Sequence, residues 1–238
     1  MTFTEQAMTA FRRGDSDEVV RLATLELARA RAIGEARGEV DALSMLSRVS
    51  IRNDELDRAW TLAEQALAAA AGDTALEQAP LHILAGTARL AGDLDRARPL
   101  AAQAIAVHEA LGDRRFLAIE QHNLGHLELH DGQLERAREL FASARKHAAE
   151  AGADELLPEL ALGLAAVATV DGEFARAARI LGAIDATLQA AGKIFDPDDV
   201  LEEQDIRAKL EAALGEAACA EAYRDGAADD LRVLLDHA

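Results

Sequence analysis

The sequence predicts an all-α protein, a solenoid of about five stacked helical hairpins closed by capping helices at its C-terminal end. Three observations lead there. Helix-forming Ala and Leu dominate, aromatics are 3% of the 238 residues, and Pro occurs only at Pro80, Pro99, Pro158 and Pro197. A turn recurs as Gly14-Asp15-Ser16, Asp54-Glu55-Leu56, Gly92-Asp93-Leu94, Gly132-Gln133-Leu134 and Gly172-Glu173-Phe174, at spacings of 40, 38, 40 and 40 residues. Fixed columns flank each turn. Seven residues before it stand Ala7, Ser47, Ala85, Gly125 and Ala165, five after it Val19, Ala59, Ala97, Ala137 and Ala177, and eight after it Leu22, Leu62, Leu100, Leu140 and Ile180.

Each column has a packing reason. Gly or Asp accepts the turn conformation that ends one helix, and an acidic residue just beyond it suits the positive end of the next. Small residues let antiparallel helices approach, and the Leu and Ile column is expected to fill the space between them. First helices are therefore predicted near residues 3 to 13, 37 to 52, 76 to 91, 115 to 130 and 155 to 170. Second helices follow near 16 to 33, 55 to 71, 94 to 111, 134 to 151 and 174 to 191. Gly34, Gly72, Gly112, Gly152 and Gly192 mark the stops between hairpins. No linker-like shift in composition precedes residue 192, so residues 1 to 192 read as one run of repeats and 193 to 238 as a cap. In that tail, Asp196-Pro197-Asp198-Asp199 is a strong helix start, and Val200, Leu201, Ile206, Leu210, Ala213 and Leu214 give an apolar face.

Half of the residues are hydrophobic, enough for a sizeable core, and the formal net charge of -18 argues against a nucleic-acid surface. The lone Cys219 allows no intrachain disulfide. The N-terminus lacks the order of a signal peptide, and the longest apolar run, near Leu160 to Val170, is too short to span a bilayer. A cytoplasmic protein without membrane attachment is expected. Met1 reads as a natural start and favours a stand-alone protein over a fragment.

The best-formed unit runs from Ala118 to Ala144. Its Leu124, Gly125, Gly132, Leu134, Ala137, Phe141 and Ala144 resemble the tetratricopeptide repeat (TPR) motif nearly in full. The period near 40 exceeds that family's roughly 34 residues, the proline ending the second helix is missing, and so is the aromatic inside the first. The longer helices, and the tail segment from Ile180 to Leu231, are similar to the C-terminal TPR regions of bacterial signal-transduction ATPases and of maltose-regulator-like (MalT-like) and LuxR-type transcriptional regulators. No nucleotide loop is present: Gly192-Lys193 is the only Gly-Lys pair, and Thr187 stands where a P-loop needs Gly. The resemblance implies a right-handed superhelix whose first helices line a concave binding face.

On that geometry, the exposed inner positions lie ten, six, three and two residues before each turn anchor. They include Arg12, Arg48, Arg52, His82, Arg89, His122, His126 and His130, with no carboxylate among them. A basic stripe in an acidic chain points to an acidic peptide or a small anion, because Arg forks pair with carboxylate and phosphate. Asn123 matches one position of the family's carboxylate clamp. His122, His126 and His130 share one helical stripe at i, i+4 and i+8. With His82 as a third ligand the stripe raises a zinc alternative, but no Cys or carboxylate is placed to close such a site, and a pH-sensitive groove is preferred. No metal and no cofactor are expected. Acidic pairs such as Asp198-Asp199 and Glu202-Glu203 read as helix-start charges and solvated faces. No nucleophile with a placed base is found, so the chain reads as a non-enzymatic scaffold that binds a partner protein or peptide in bacterial regulation. The alternative is a sensor for a small anionic or sugar-like ligand serving a regulatory ATPase or transcription factor.

Overall fold

In the computed structural model, which describes residues 2–236, a left-handed backbone turn ends almost every helix. At the hairpin turns, Gly14, Asp54, Gly92, Gly132 and Gly172 carry φ of 79°, 60°, 74°, 75° and 76°. Beyond each, the next N–H reaches back five residues to a helix carbonyl, as in Gln133 to Glu128 (2.8 Å), Asp93 to Ala88 (2.9 Å) and Glu173 to Ala168 (2.8 Å). That bond satisfies a carbonyl the helix leaves open and aims the chain into the next helix. The same geometry recurs between hairpins at Gly34, Gly112, Gly152 and Gly192, whereas Ala71 and Gly72 are both left-handed, with φ of 51° and 83°.

The elements are α1 (Phe3–Arg12), α2 (Ser16–Ile33), α3 (Ala36–Arg52), α4 (Leu56–Ala70), α5 (Thr74–Leu90) and α6 (Leu94–Leu111). They continue with α7 (Arg114–His130), α8 (Leu134–Ala151), a short 3-10 turn (Asp154–Leu156), α9 (Leu157–Val170), α10 (Phe174–Ala191), α11 (Pro197–Leu214), α12 (Glu216–Gly226) and α13 (Leu231–Asp236). Every repeat helix lies where the turn spacing put it, to within two residues. Met1 and residues 237–238, the last two of the expected tail, lie outside the described residues. No helix is long and apolar enough to cross a membrane among the described residues.

The chain divides into two compact units, residues 1–113 and 114–238. In the first, α1 pairs with α2, α3 with α4 and α5 with α6, while α1, α3 and α5 also lie side by side as a layer of first helices. In the second, α7 pairs with α8 and α9 with α10, α7 contacts α9, and α11 to α13 pack on α9 and α10. The end of the repeats expected at residue 192 falls inside this second unit.

The column five residues after each turn, Val19, Ala59, Ala97, Ala137 and Ala177, is sealed from solvent in all five hairpins. The expected Leu and Ile column is less uniform. Leu140 and Ile180 are buried, but Leu22, Leu62 and Leu100 are only partly so. The deeper position is one residue later: Ala23, Ala63, Ala101, Phe141 and Leu181 are all buried. Positions five and nine after the turn are four apart and share the face toward the first helix, whereas position eight is rotated about 100° from position nine and about 60° from position five, onto the shoulder. Phe141 is the largest occupant of that column, and the facing residues shrink to match. A Cβ added at Gly125 on α7 would lie 2.6 Å from the Phe141 ring, and one at Gly163 on α9 would lie 2.7 Å from it.

The tail docks through a second set of close approaches. A Cβ on Gly182 of α10 would meet the Tyr223 carbonyl oxygen at 1.9 Å, and one on Gly226 of α12 would meet the Arg179 carbonyl oxygen at 1.9 Å. The α10 and α12 backbones therefore cross at a separation that only glycine permits. Arg179 adds an ion pair to Asp229 at 2.9 Å.

These constraints set the expected stability of three variants. The space around Gly132 is open, so Gly132→Ala carries only the left-handed penalty, about 1 kcal/mol once the stiffer unfolded chain is counted. Asp54→Gly removes that penalty and should stabilise by about 0.5 kcal/mol. Both are read from urea midpoints at unchanged m-value. Gly125→Ala overpacks the Phe141 ring and should destabilise by about 1–3 kcal/mol. A double-mutant cycle with Phe141→Leu should recover about 1 kcal/mol or more of that loss.

Candidate functional site

The expected inner positions fall on the layers of first helices, but the structure treats them in three ways. In the first unit, Arg12, Arg48 and His82 are partly exposed on α1, α3 and α5. Between His82 and Arg89, a Cβ added at Gly86 would find nothing within 4 Å. The face of α5 is therefore open there, with His82 and Leu90 partly exposed beside it.

Arg52 and Arg89 depart from the expected exposed stripe. The Arg52 guanidinium lies 3.7 Å from the centroid of the Phe11 ring, and its Nη1 donates to the Phe11 carbonyl at 2.8 Å. It thus brackets the C-terminal end of α1 to α3, where a cation is favoured by both the open carbonyls and the ring. Arg89 is 8% exposed. Arg52 is a structural cation first, because its head is engaged inside the layer.

The first unit also contains a carboxylate that the stripe omits. Asp41 on α3 accepts a hydrogen bond from Thr4 Oγ1 on α1 at 2.8 Å. Burial raises its pKa above the usual value, against the opposing pull of the Thr4 hydroxyl and of Arg37. Extending the stripe one turn back from Ser44 reaches Asp41 by the i, i+3 rule, and that was the available signal.

In the second unit, His122 and His126 are 3% and 1% exposed, so the expectation that they line an open face is corrected. They are enclosed from two sides. Beneath them, Phe141 lies 5.0 Å from the His126 ring and 5.8 Å from His122, and the two imidazoles meet edge to face at 4.7 Å. Above them comes α11. His122 Nε2 is 3.4 Å from Asp199 Oδ1, and His126 Nδ1 is 3.3 Å from Glu202 Oε2. His130 Nε2, at the outer edge, is 2.9 Å from Glu202 Oε2. Asn123, beside them on α7, is partly exposed.

Asp199 and Glu202, which read in the sequence as solvated charges, are the residues that sequence reasoning misses. Both are buried, together with Ile206 and Leu210. The four fall at i, i+3, i+7 and i+11, one stripe of the helix, so the acids occupy positions the helix turns inward. Among the described residues, no three His, Cys, Asp or Glu side chains are grouped as a metal ion would require. The arrangement instead matches two carboxylates to three imidazoles, with a ring nitrogen of each imidazole facing a carboxylate oxygen that can only accept when ionised.

The fold is an all-α helical-repeat solenoid of TPR-like hairpins. No protein-family model matches the chain, and no curated protein matches it by sequence. Solved structures do resemble it. BtubC (BKLC) from P. vanneervenii superposes with a TM-score of 0.61 at 16% identity, covering 94% of this chain and 93% of that one. The TPR-like repeats of a putative kinesin light chain from Podosopora anserina give 0.52 at 19% identity, over 84% of this chain and 96% of that one. A point variant of the same kinesin light chain repeats gives 0.53 at 18% identity, over 84% and 97%. At these identities the likeness is one of fold.

Asp41 yields a pH prediction with a definite sign. A carboxyl whose folded pKa is raised binds its proton more tightly in the folded state, so its ionisation removes stability as pH rises from its unfolded value through its folded one. Asp41→Asn keeps an acceptor for Thr4 and avoids that loss. The variant should be more stable than wild type near neutral pH, and the difference should vanish toward about pH 3, below both pKa values, in paired thermal melts.

Proposed function

We propose that the chain is a non-enzymatic scaffold that docks a partner protein's acidic peptide or helix on the α1, α3 and α5 layer of its first unit. The observation that carries the reading is the open face at Gly86, with partly exposed Arg48 and His82 on the same layer of a chain whose formal charge is -18. A patch of the opposite sign to its surroundings steers an acidic partner and rejects basic ones. The open backbone at Gly86 offers room for a partner side chain close to α5, and neighbouring Ile51 and Leu90 are partly buried apolar contacts for it. Helix-in-groove recognition combines these elements: an apolar anchor with charged flanks. BtubC and the kinesin light chain repeats share the architecture, and a scaffold role accords with it. A role in bacterial regulation rests on the sequence resemblance alone.

Within the same reading, residues 193–238 cap the repeats. Phe195, Ile206, Leu210, Leu231 and Leu235 join the cluster of Leu162, Leu164, Ile180 and Ile184, which would otherwise present the apolar end of a repeat array to solvent.

The test is binding to an array of helical peptides graded from acidic to basic, read by fluorescence anisotropy at low and high salt. Acidic peptides should bind, more weakly at high salt, and Arg48→Glu and Gly86→Trp should each weaken them about tenfold or more. Gly86→Ala, which only adds helix propensity in open space, should leave binding intact and stabilise by about 0.5–1 kcal/mol. Selection of basic peptides, or indifference to both disruptive substitutions, would overturn the reading. Binding of citrate or phosphate with peptide binding absent would replace the partner with a small anion.

A further inference from the structure

The polar stripe of α11 sits on α7 in a way that its neighbours do not require. We propose that the His122, His126 and His130 stripe on α7 is a carboxylate-recognition surface, that Asp199 and Glu202 of α11 are its built-in occupant, and that a partner's acidic helix can displace them. This is a different surface from the α1, α3 and α5 layer, so its failure would leave the preceding reading standing.

Four observations carry it. First, α11 meets the α7 stripe through titratable side chains: His122 with Asp199, and His126 and His130 with Glu202. Buried pairs of this kind add little net stability compared with apolar residues of the same volume, and their attested use is to specify one arrangement among alternatives. Second, the two halves of α11 are held differently. The C-terminal half buries Ile206 and Leu210, and Arg207 Nη2 bonds Asp185 of α10 at 2.8 Å beside Tyr223 of α12. The N-terminal half turns Asp199 and Glu202 inward while Leu201 is 52% exposed.

Third, the rest of the tail has its own attachments. α12 is seated on α10 by the Gly182 and Gly226 crossing and by the Arg179 to Asp229 pair, and α13 buries Leu231 and Leu235. None of these depends on the acidic half of α11. Fourth, chain breaks bound the helix on both sides. Gly192 has φ 61°, non-helical residues 193–196 follow, and Gly215 at the other end has φ 75°. Phe195 before the helix and Ile206 within it are both buried, so the acidic turns between them can unwind from α7 while the C-terminal half and α12 stay in place. What replaces it must offer carboxylates three residues apart on one helical face, because that is the spacing the stripe already accepts.

The experiment uses the full chain and two measurements. Asp199→Asn with Glu202→Gln removes the charges at constant shape. Hydrogen exchange should then accelerate by about tenfold or more at residues 197–204, with α9, α10 and α12 unchanged. A labelled peptide of residues 193–214 added in trans should bind this variant about tenfold more tightly than wild type, since its own occupant has been weakened. Exchange that does not rise, or that rises equally through α9, α10 and α12, would mean that α11 is fixed packing and would overturn the proposal. So would a peptide that binds neither protein, or both equally. If the double variant fails to fold, His130→Gln, at the half-exposed edge, replaces it. Faster exchange confined to residues 197–204 supports the proposal, and unchanged exchange overturns it.

Discussion

Every hairpin in this chain depends on one residue held with positive φ. That residue turns the backbone through a left-handed conformation, lets the following N–H close on a carbonyl five residues back, and so sets the antiparallel return of the second helix. L-residues resist the conformation, and glycine does not, which is why the turn is Gly in four hairpins out of five and Asp54 in the other. Once the return angle is fixed, the positions seven before and five and nine after the turn must face one another. Their burial throughout the chain is a consequence of the turn and not a separate invention of each repeat.

Within that frame, the fourth and fifth hairpins are specialised by volume. Ala or Ser suffices seven residues before the turn in the first three hairpins, where Ala stands nine residues after it. Phe141 takes the same late position in the fourth, and glycine at Gly125 and Gly163 leaves room for its ring. The ring then forms the floor beneath His122 and His126. A packing exchange in the core thus raises two imidazoles to where a helix from the tail can meet them with Asp199 and Glu202. Polar groups in so enclosed a place must find partners, and carboxylates supply them.

Much of this architecture is legible from residue spacing. The turn anchors, four Gly and Asp54, locate ten helices to within two residues, because turn chemistry is local and is written in single residue types. The alanine column was equally plain. What escaped were pairings between distant segments. Nothing about Arg52 alone says that it will lie on Phe11, 41 residues earlier, in place of facing solvent. Asp199 and Glu202 resemble the acidic first turn of any helix, and only their shared stripe with Ile206 and Leu210 marks them as inward. The Leu column one residue away from the true core position shows the resolution of such reading: a rotation of one residue on a helix separates face from shoulder.

The two surfaces that emerge use the same chemistry in different states. The layer of α1, α3 and α5 is partly open and basic, and the α7 stripe is covered by the chain's own carboxylates. Each is built from Arg or His carried on first helices of its own unit in an acidic chain. Mapping of backbone amide shifts by nuclear magnetic resonance, on titration with an acidic amphipathic helix, tests that common claim most directly. The account predicts perturbations concentrated in residues 44–52 and 82–90, on the first helices of the first unit. Perturbations confined to the outer helices α2, α4 and α6, or a spectrum unmoved at saturating peptide, would contradict it.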